Sequence, residues 1–338
     1  MAGFKTNVIR LSDRAGLTTL THGRPDGRLT TILYHGFRFG EEGWAAARER
    51  LKRQCAFLRE AYEPVGMDAA LARLGGAARP GRPVLVTIDD AKREIAEVLD
   101  VFEAHEIPLT QFVCAGWSEV ADDDHAEDAA AVQLVSRLHF WDGEARKVVL
   151  DSQSYTLDHE GNVALIDAVI GLDAAGRTDE VLDALEDVFR APCPRDDIGG
   201  WDEVREQHRR GVTIGCHSVS HAPIARQSPR RQRFEIEASR ALIERRVGPC
   251  AHFAYPYGTP ESHDAGTEEL LRAAGFEAGF TTEPAFAAPG AAPLTLPRIA
   301  LPDEPMSDAV FRARVRGGGI PLTQMKARVR RIAGRGRA

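Results

Sequence analysis

The run VLVTIDDAKR, residues 84–93, is the strongest constraint on what this chain can become. Val84 to Thr87 are apolar or β-branched, and Ile88 leads directly into two adjacent carboxylates, Asp89 and Asp90. Ile95, Val98, Leu99 and Phe102 follow at spacings of three and four. This is the pattern of a buried strand, an acidic turn and an amphipathic helix. Similar units recur. Strand-like runs lie at 29–37, 107–116, 211–221, 252–258, 276–282 and 294–301, with helical patterns at 41–60, 67–74, 201–211, 229–247 and 268–274. Strands alternating with helices imply an α/β fold built on a parallel sheet. In such folds chemistry sits where strands end.

Two like charges side by side at a strand end repel unless a cation or a proton separates their roles. One reading makes Asp89 a helix cap and Asp90 a first-turn residue favoured by the helix dipole. The other makes one carboxylate a metal ligand and its neighbour a base. The second reading gains from HSVSH, residues 217–221, where His217 closes a strand and His221 sits in the turn beyond. One carboxylate with two neutral imidazoles makes a three-ligand site with open positions for water and substrate. Zinc suits two nitrogens and one oxygen, and cobalt, nickel, iron and manganese are alternatives.

The alternation breaks between 117 and 200. That span opens acidic (EVADDDHAED), then shows helical pieces near 131–138 and 180–189. Short strands or irregular cover are expected at 147–157 and 162–166. It reads as an insertion packed over one end of the main domain, with Asp122, Asp123 and Asp124 as a solvated loop. The domain reading is an extension over 1–28, a barrel over 29–305 carrying the insertion, and a basic tail over 306–338.

A net charge of −7 argues against a nucleic-acid partner. No apolar run approaches a membrane span, and residues 1–16 have no signal-peptide core, so a soluble, cytoplasmic protein is expected. The basic segment 326–338 reads as a solvated end, with weak contact to an anionic membrane surface as the alternative. Five scattered cysteines without a CxxC pair fit a reducing compartment. Cys114 and Cys216 fall in apolar runs and are expected in the core.

Three motifs taken together carry a resemblance: TIDD at 87–90, HSVSH at 217–221 and FAYPYG at 253–258. In order and context they resemble the polysaccharide deacetylase family, the NodB-homology carbohydrate esterases. Softer matches are ILYHGF, PLTQFV, AGFEAGFTT and LPRI. The resemblance covers roughly 29–301, interrupted by the insertion. It implies a distorted (β/α) barrel and metal-dependent removal of acetyl groups from N-acetylated sugars. It also implies that Asp90, His217 and His221 hold the metal and that Asp89 is the general base activating water. The backbone N–H of Tyr257 would help hold the oxyanion. Three departures stand out. Ala91 replaces a frequent glycine. Ala254 occupies the place of an arginine that braces the base, a role Arg298 of LPRI takes in relatives with this YPYG form. No late Leu-Leu-His motif supplies a general acid, which makes His35 a candidate, with His252, His263 and His105 behind it. Tyr255 and Tyr257 fit a sugar groove or simple packing.

The reading is a metal-dependent carbohydrate N-deacetylase, a hydrolase acting on an N-acetylated sugar or glycan precursor for a surface polysaccharide. Two rivals stay open. One is a catalytically inert glycan- or partner-binding pseudoenzyme of the same fold. The other is an amidase or deformylase acting on a non-sugar amide. The oligomeric state is left open.

Overall fold

The structure, a computed structural model, describes residues 27–76, 79–122, 127–158, 162–192, 196–318 and 320. Strand β1 (Thr30–Tyr34) leads to helix α1 (Trp44–Ala61), the two-residue strand β2 (Glu63–Pro64) and helix α2 (Met67–Gly75). Strand β3 (Pro83–Asp89) is buried along its whole length, as a parallel strand covered on both faces must be. A 3₁₀ turn (Arg93–Glu97) and helix α3 (Leu99–Ala104) follow. Ile95, Val98, Leu99 and Phe102 are all buried, as their spacing predicts. Neither aspartate caps a helix: Asp89 ends β3, and the residue capping α3 is Val98.

Strand β4 (Leu109–Val113) runs into helix α4 (Ala115–Ala121), and helix α5 (Ala130–His139) comes next. Strands β5 (Arg146–Leu150) and β6 (Gln153–Leu157) form an antiparallel hairpin. Helices α6 (Val163–Ala174), α7 (Thr178–Ala184) and α8 (Glu186–Phe189) complete this largely helical stretch. The segment 162–166, expected as strand or irregular cover, is instead the start of α6. Its short apolar run imitates a strand, but Leu165, Ile166, Val169 and Ile170 are buried at helical spacing. The alternation then resumes with α9 (Trp201–Arg209), β7 (Thr213–Cys216), α10 (Pro229–Arg246), β8 (His252–Ala254), α11 (Ala265–Ala273), β9 (Ala278–Phe280), β10 (Ile299–Ala300) and α12 (Asp308–Val315).

The chain divides into two compact units. The first takes the described residues through Ile88, Glu97–Thr110, and those from Thr281 on. In it β1 pairs in parallel with β10 (Ile32 with Ile299) and with β3 (Thr30 with Val84 through Tyr34 with Ile88), and β2 adds to the start of β3. Tyr34, Phe37 and Phe102 pack together, with ring centroids 5.2 and 5.6 Å apart about Phe37, tilted in the first pair and edge-on in the second. Full burial of such a ring stabilises by roughly 2–3 kcal/mol. Helix α12, in the stretch expected as tail, buries Val310, Phe311 and Val315 and sets Phe311 against Phe57 of α1.

The second unit comprises Asp89–Ala96 and Gln111–Phe280. Its strands run in the order β4-β7-β8-β9, with β8 pairing parallel to both β7 and β9. Helix α10 packs against β7, α4 and α6, so the helical stretch joins the same core. Cys114 and Cys216 are fully buried here, as expected, and burial pushes both thiols well above their usual range. No described helix is long and apolar enough to cross a membrane. Cys193, Asp123, Asp124, the basic segment 326–338 and residues 1–26 lie outside the described residues.

Candidate metal centre

All three sequence motifs contribute to one place in the second unit. Asp89 is 2% exposed at the end of β3, and the chain then turns through Asp90 and Ala91 at φ +74° and +51°. An L-residue in this left-handed region costs roughly 1–2 kcal/mol, which is why glycine is common there. The turn is held from outside: Gly199 N–H donates to Ala91 O at 2.8 Å and Arg93 N–H to Asp197 O at 3.0 Å. Ser218 (φ +67°), His221 (+59°) and Tyr257 (+63°) share the same conformation. Positive-φ residues thus gather at all three motifs, as happens where a site over-determines its backbone.

The HSVSH turn has almost every backbone group accounted for. His217 N–H donates to Val113 O at 2.8 Å, while Ser218 O and Val219 O accept from Ala115 and Gly116 at 3.0 and 3.1 Å. Val219 N–H and Ser220 N–H both donate to the Glu235 carboxylate at 2.9 Å. His221 N–H donates to Ser218 Oγ. Gly116 must be glycine: a Cβ there would stand 2.8 Å from Val219 O.

Asp90, His217 and His221 each offer a donor atom, all within 4.8 Å of one another. Asp90 Oδ1 lies 3.5 Å from His217 Nε2 and 3.6 Å from His221 Nε2. Asp90 Oδ2 faces Lys92 Nζ at 3.8 Å, and that ammonium is itself held by Asp197 at 2.9 Å. Asp89 Oδ2 stands 3.7 Å from His217 Nε2. The His217 ring places Nδ1 2.7 Å from Ala254 O, so Nδ1 donates there and Nε2 is left to face the carboxylates. Lone pairs facing at these distances repel unless a cation lies between them. Asp90 Oδ1 is buried, and among the described residues nothing donates a hydrogen bond to it. An orphaned buried carboxylate oxygen beside two imidazoles fits a divalent cation, and the donor set suits zinc.

Burial, and then the neighbouring His217, hold the His221 imidazole down at about 3, against the pull of Asp90 and Asp89. An unfolded histidine titrates near 6.5. Between those values the unfolded chain binds the extra proton, so this stabilising term is complete above about pH 6.5 and is lost as pH falls toward 3. Denaturant midpoints of metal-stripped protein should therefore fall from pH 7 to pH 4, and fall less in His221→Asn. A flat profile in the parent chain would contradict a buried neutral His221.

Aromatic rings close round His221. Trp117 stacks on it at 5.3 Å and Tyr257 meets it edge-on at 4.7 Å. Phe140 backs Trp117 at 4.9 Å.

The family model of polysaccharide deacetylases matches residues 76–279, more than half of the chain, and these residues hold all three motifs. The chain belongs to the polysaccharide deacetylase family. No curated protein sequence matches it. Among solved structures, it resembles IcaB from Ammonifex degensii at 20% identity, covering 87% of this chain and 98% of that one with a TM-score of 0.53. A de-N-acetylase from Aggregatibacter actinomycetemcomitans matches at 14% identity, 85% and 99% coverage and a TM-score of 0.53. The Streptococcus pyogenes deacetylase PplD, solved with acetate, matches at 14% identity, 81% and 92% coverage and a TM-score of 0.52. These likenesses bear out the expected α/β fold, a (β/α) barrel of the deacetylase type.

Within this deacetylase-family frame, the remaining candidates separate. Tyr255 is fully buried against Phe253 and His263, so it packs, whereas Tyr257 is 52% exposed beside His221. In the first unit, Arg298 is fully buried, and its Nε donates to Thr281 O at 3.0 Å and its Nη1 to Thr87 Oγ1 at 3.4 Å. His35 follows β1 and sets Nδ1 3.4 Å from Asp303 Oδ1. His105 ends α3 with Nδ1 2.8 Å from Val101 O, and His252 is buried in β8. Sequence reasoning missed Glu235, Trp117 and His139, whose charge bears on His221. Glu235 had a readable signal: a carboxylate sharing its helix stripe with Ser239 and Leu242, all buried.

Proposed function

We propose that the protein is a metal-dependent hydrolase that removes an N-acetyl group from a sugar or glycan precursor, releasing acetate and the free amine. The observation that carries this reading is the convergence of Asp90, His217 and His221 on one point, with a second, buried carboxylate, Asp89, beside it. A bare binding centre needs the first three; hydrolysis needs the fourth. When bound, zinc or a similar divalent ion would polarise the acyl carbonyl and make water easier to deprotonate.

Asp89 is the base that takes the proton of the attacking water. Its burial keeps other proton acceptors of the solvent away from that step. Arg298 is the brace for Asp89. Its guanidinium reaches Thr87, whose side chain shares a face of β3 with Asp89 by strand alternation. Tyr257, in left-handed conformation beside His221, presents its backbone N–H to the oxyanion and its exposed ring to the sugar. His35 returns a proton to the leaving nitrogen, its ring oriented by Asp303. Water adds to the carbonyl carbon, the C–N bond breaks, and the amine leaves protonated.

The test is acetate release from a panel of N-acetylhexosamine monomers and short oligomers. Acetate should appear, stop on addition of a chelator, and return with zinc, cobalt or manganese. Metal-loaded protein that frees no acetate from any N-acetylated sugar, but cleaves formamides or other simple amides, would overturn the sugar reading in favour of an amidase.

A further inference from the structure

The turn that presents both histidines is not self-supporting. Ser218 and His221 sit at φ +67° and +59°, a conformation that non-glycine residues hold only under external constraint. Between them, Val219 N–H and Ser220 N–H point the same way and need an acceptor. That acceptor is Glu235, projected from the second turn of α10 and fully buried. Its Oε2 accepts both amides at 2.9 Å, and its Oε1 accepts from Ser220 Oγ at 2.6 Å. Arg231, 3% exposed and one turn earlier, sets Nε 3.5 Å from Oε1 and matches the buried charge.

We propose that Glu235 is a positioning residue for the metal centre: its carboxylate gathers the HSVSH backbone so that His217 and His221 face Asp90. The inference rests on the metal reading of that site. The geometry explains why a carboxylate is required. An amide side chain turns an N–H donor toward one of the groups that now donate to it. The turn then relaxes toward ordinary backbone angles, and the imidazoles lose their common focus. Residues that orient metal ligands typically contribute about 10- to 100-fold to affinity.

The experiment compares zinc dissociation constants, by competition with a chromophoric chelator, for the full chain, Glu235→Gln, Ser220→Ala and Leu51→Ala. Leu51 is a buried residue of α1 in the other unit, so its truncation lowers stability without touching the turn. Glu235→Gln should bind zinc about 10- to 100-fold more weakly and recover acetate release when zinc is raised to saturation. Leu51→Ala should melt earlier yet keep the parent affinity. Ser220→Ala loses one hydrogen bond and should weaken zinc roughly two- to tenfold, which decides the matter if Glu235→Gln does not fold. Parent affinity in Glu235→Gln, or in Ser220→Ala where Glu235→Gln is unfolded, overturns the positioning role. A parent chain that binds no zinc overturns the metal reading itself, and this inference with it.

Discussion

Replacing Asp89 with Asn should lower turnover about 10²- to 10⁴-fold while leaving the metal bound. The substitution keeps the shape of a side chain that is 2% exposed and removes only its capacity to take a proton. The donor atoms that meet at one point belong to Asp90, His217 and His221, not to Asp89. Elemental analysis should therefore return the same metal content in the variant as in the parent. The measurement pairs that content with acetate release under saturating substrate. Turnover unchanged by Asp89→Asn would remove the base from the mechanism. Metal lost together with turnover would make Asp89 a ligand, and the division of labour between the paired carboxylates would be wrong. A glycan-binding protein without turnover would show a third pattern, in which the substitution barely alters binding of an N-acetylated oligomer and no acetate appears from either chain.

The division between what the sequence discloses and what it hides follows physical lines. Strand β3 was legible because a parallel strand buried on both faces is a continuous apolar run, and its end is marked by charges that cannot enter the core. The histidines were legible because a strand-end position and an i, i+4 spacing put them on one turn. Asp90, His217 and His221 were named from the sequence and do meet in space. Helix α6 was hidden because apolar residues fill most of it and only Asp167 and Asp173 are charged, so it lacks a clear polar face. The supports of the site were hidden for another reason. Glu235 lies 14 residues beyond His221, and Trp117 about a hundred before it. Only packing brings the carboxylate of one and the ring of the other to the histidine turn. Gly116 shows the same limit. In the sequence it is one small residue in a loop, while in the fold it is the place where α4 comes close enough for its N–H to reach Val219 O.

The double variant His217→Ala, His221→Ala should take metal content from about one equivalent per chain to none and abolish acetate release. Two consequences separate loss of a site from general damage. In the parent chain, zinc should bind the folded state, so zinc at about 100 times its dissociation constant should stabilise by about 2.7 kcal/mol and raise Tm by a few degrees. In the double variant that shift should vanish, because Asp90 alone supplies a single oxygen. The metal-free proteins should behave the other way round. In the parent, Asp90 Oδ1 is buried opposite two imidazole nitrogens with no hydrogen-bond donor among the described residues, an arrangement that costs free energy until a cation fills it. Removing the imidazoles relieves that repulsion and opens space for water to solvate the carboxylate. The metal-free double variant should therefore lose less stability than truncating a buried side chain such as His217 ordinarily costs. Melting curves with and without zinc, on both proteins, read all of this at once. A zinc-dependent rise in Tm that survives the double substitution would place the metal elsewhere. Asp89 would then be a base with nothing beside it to activate, and the hydrolase would have to be rebuilt from different residues.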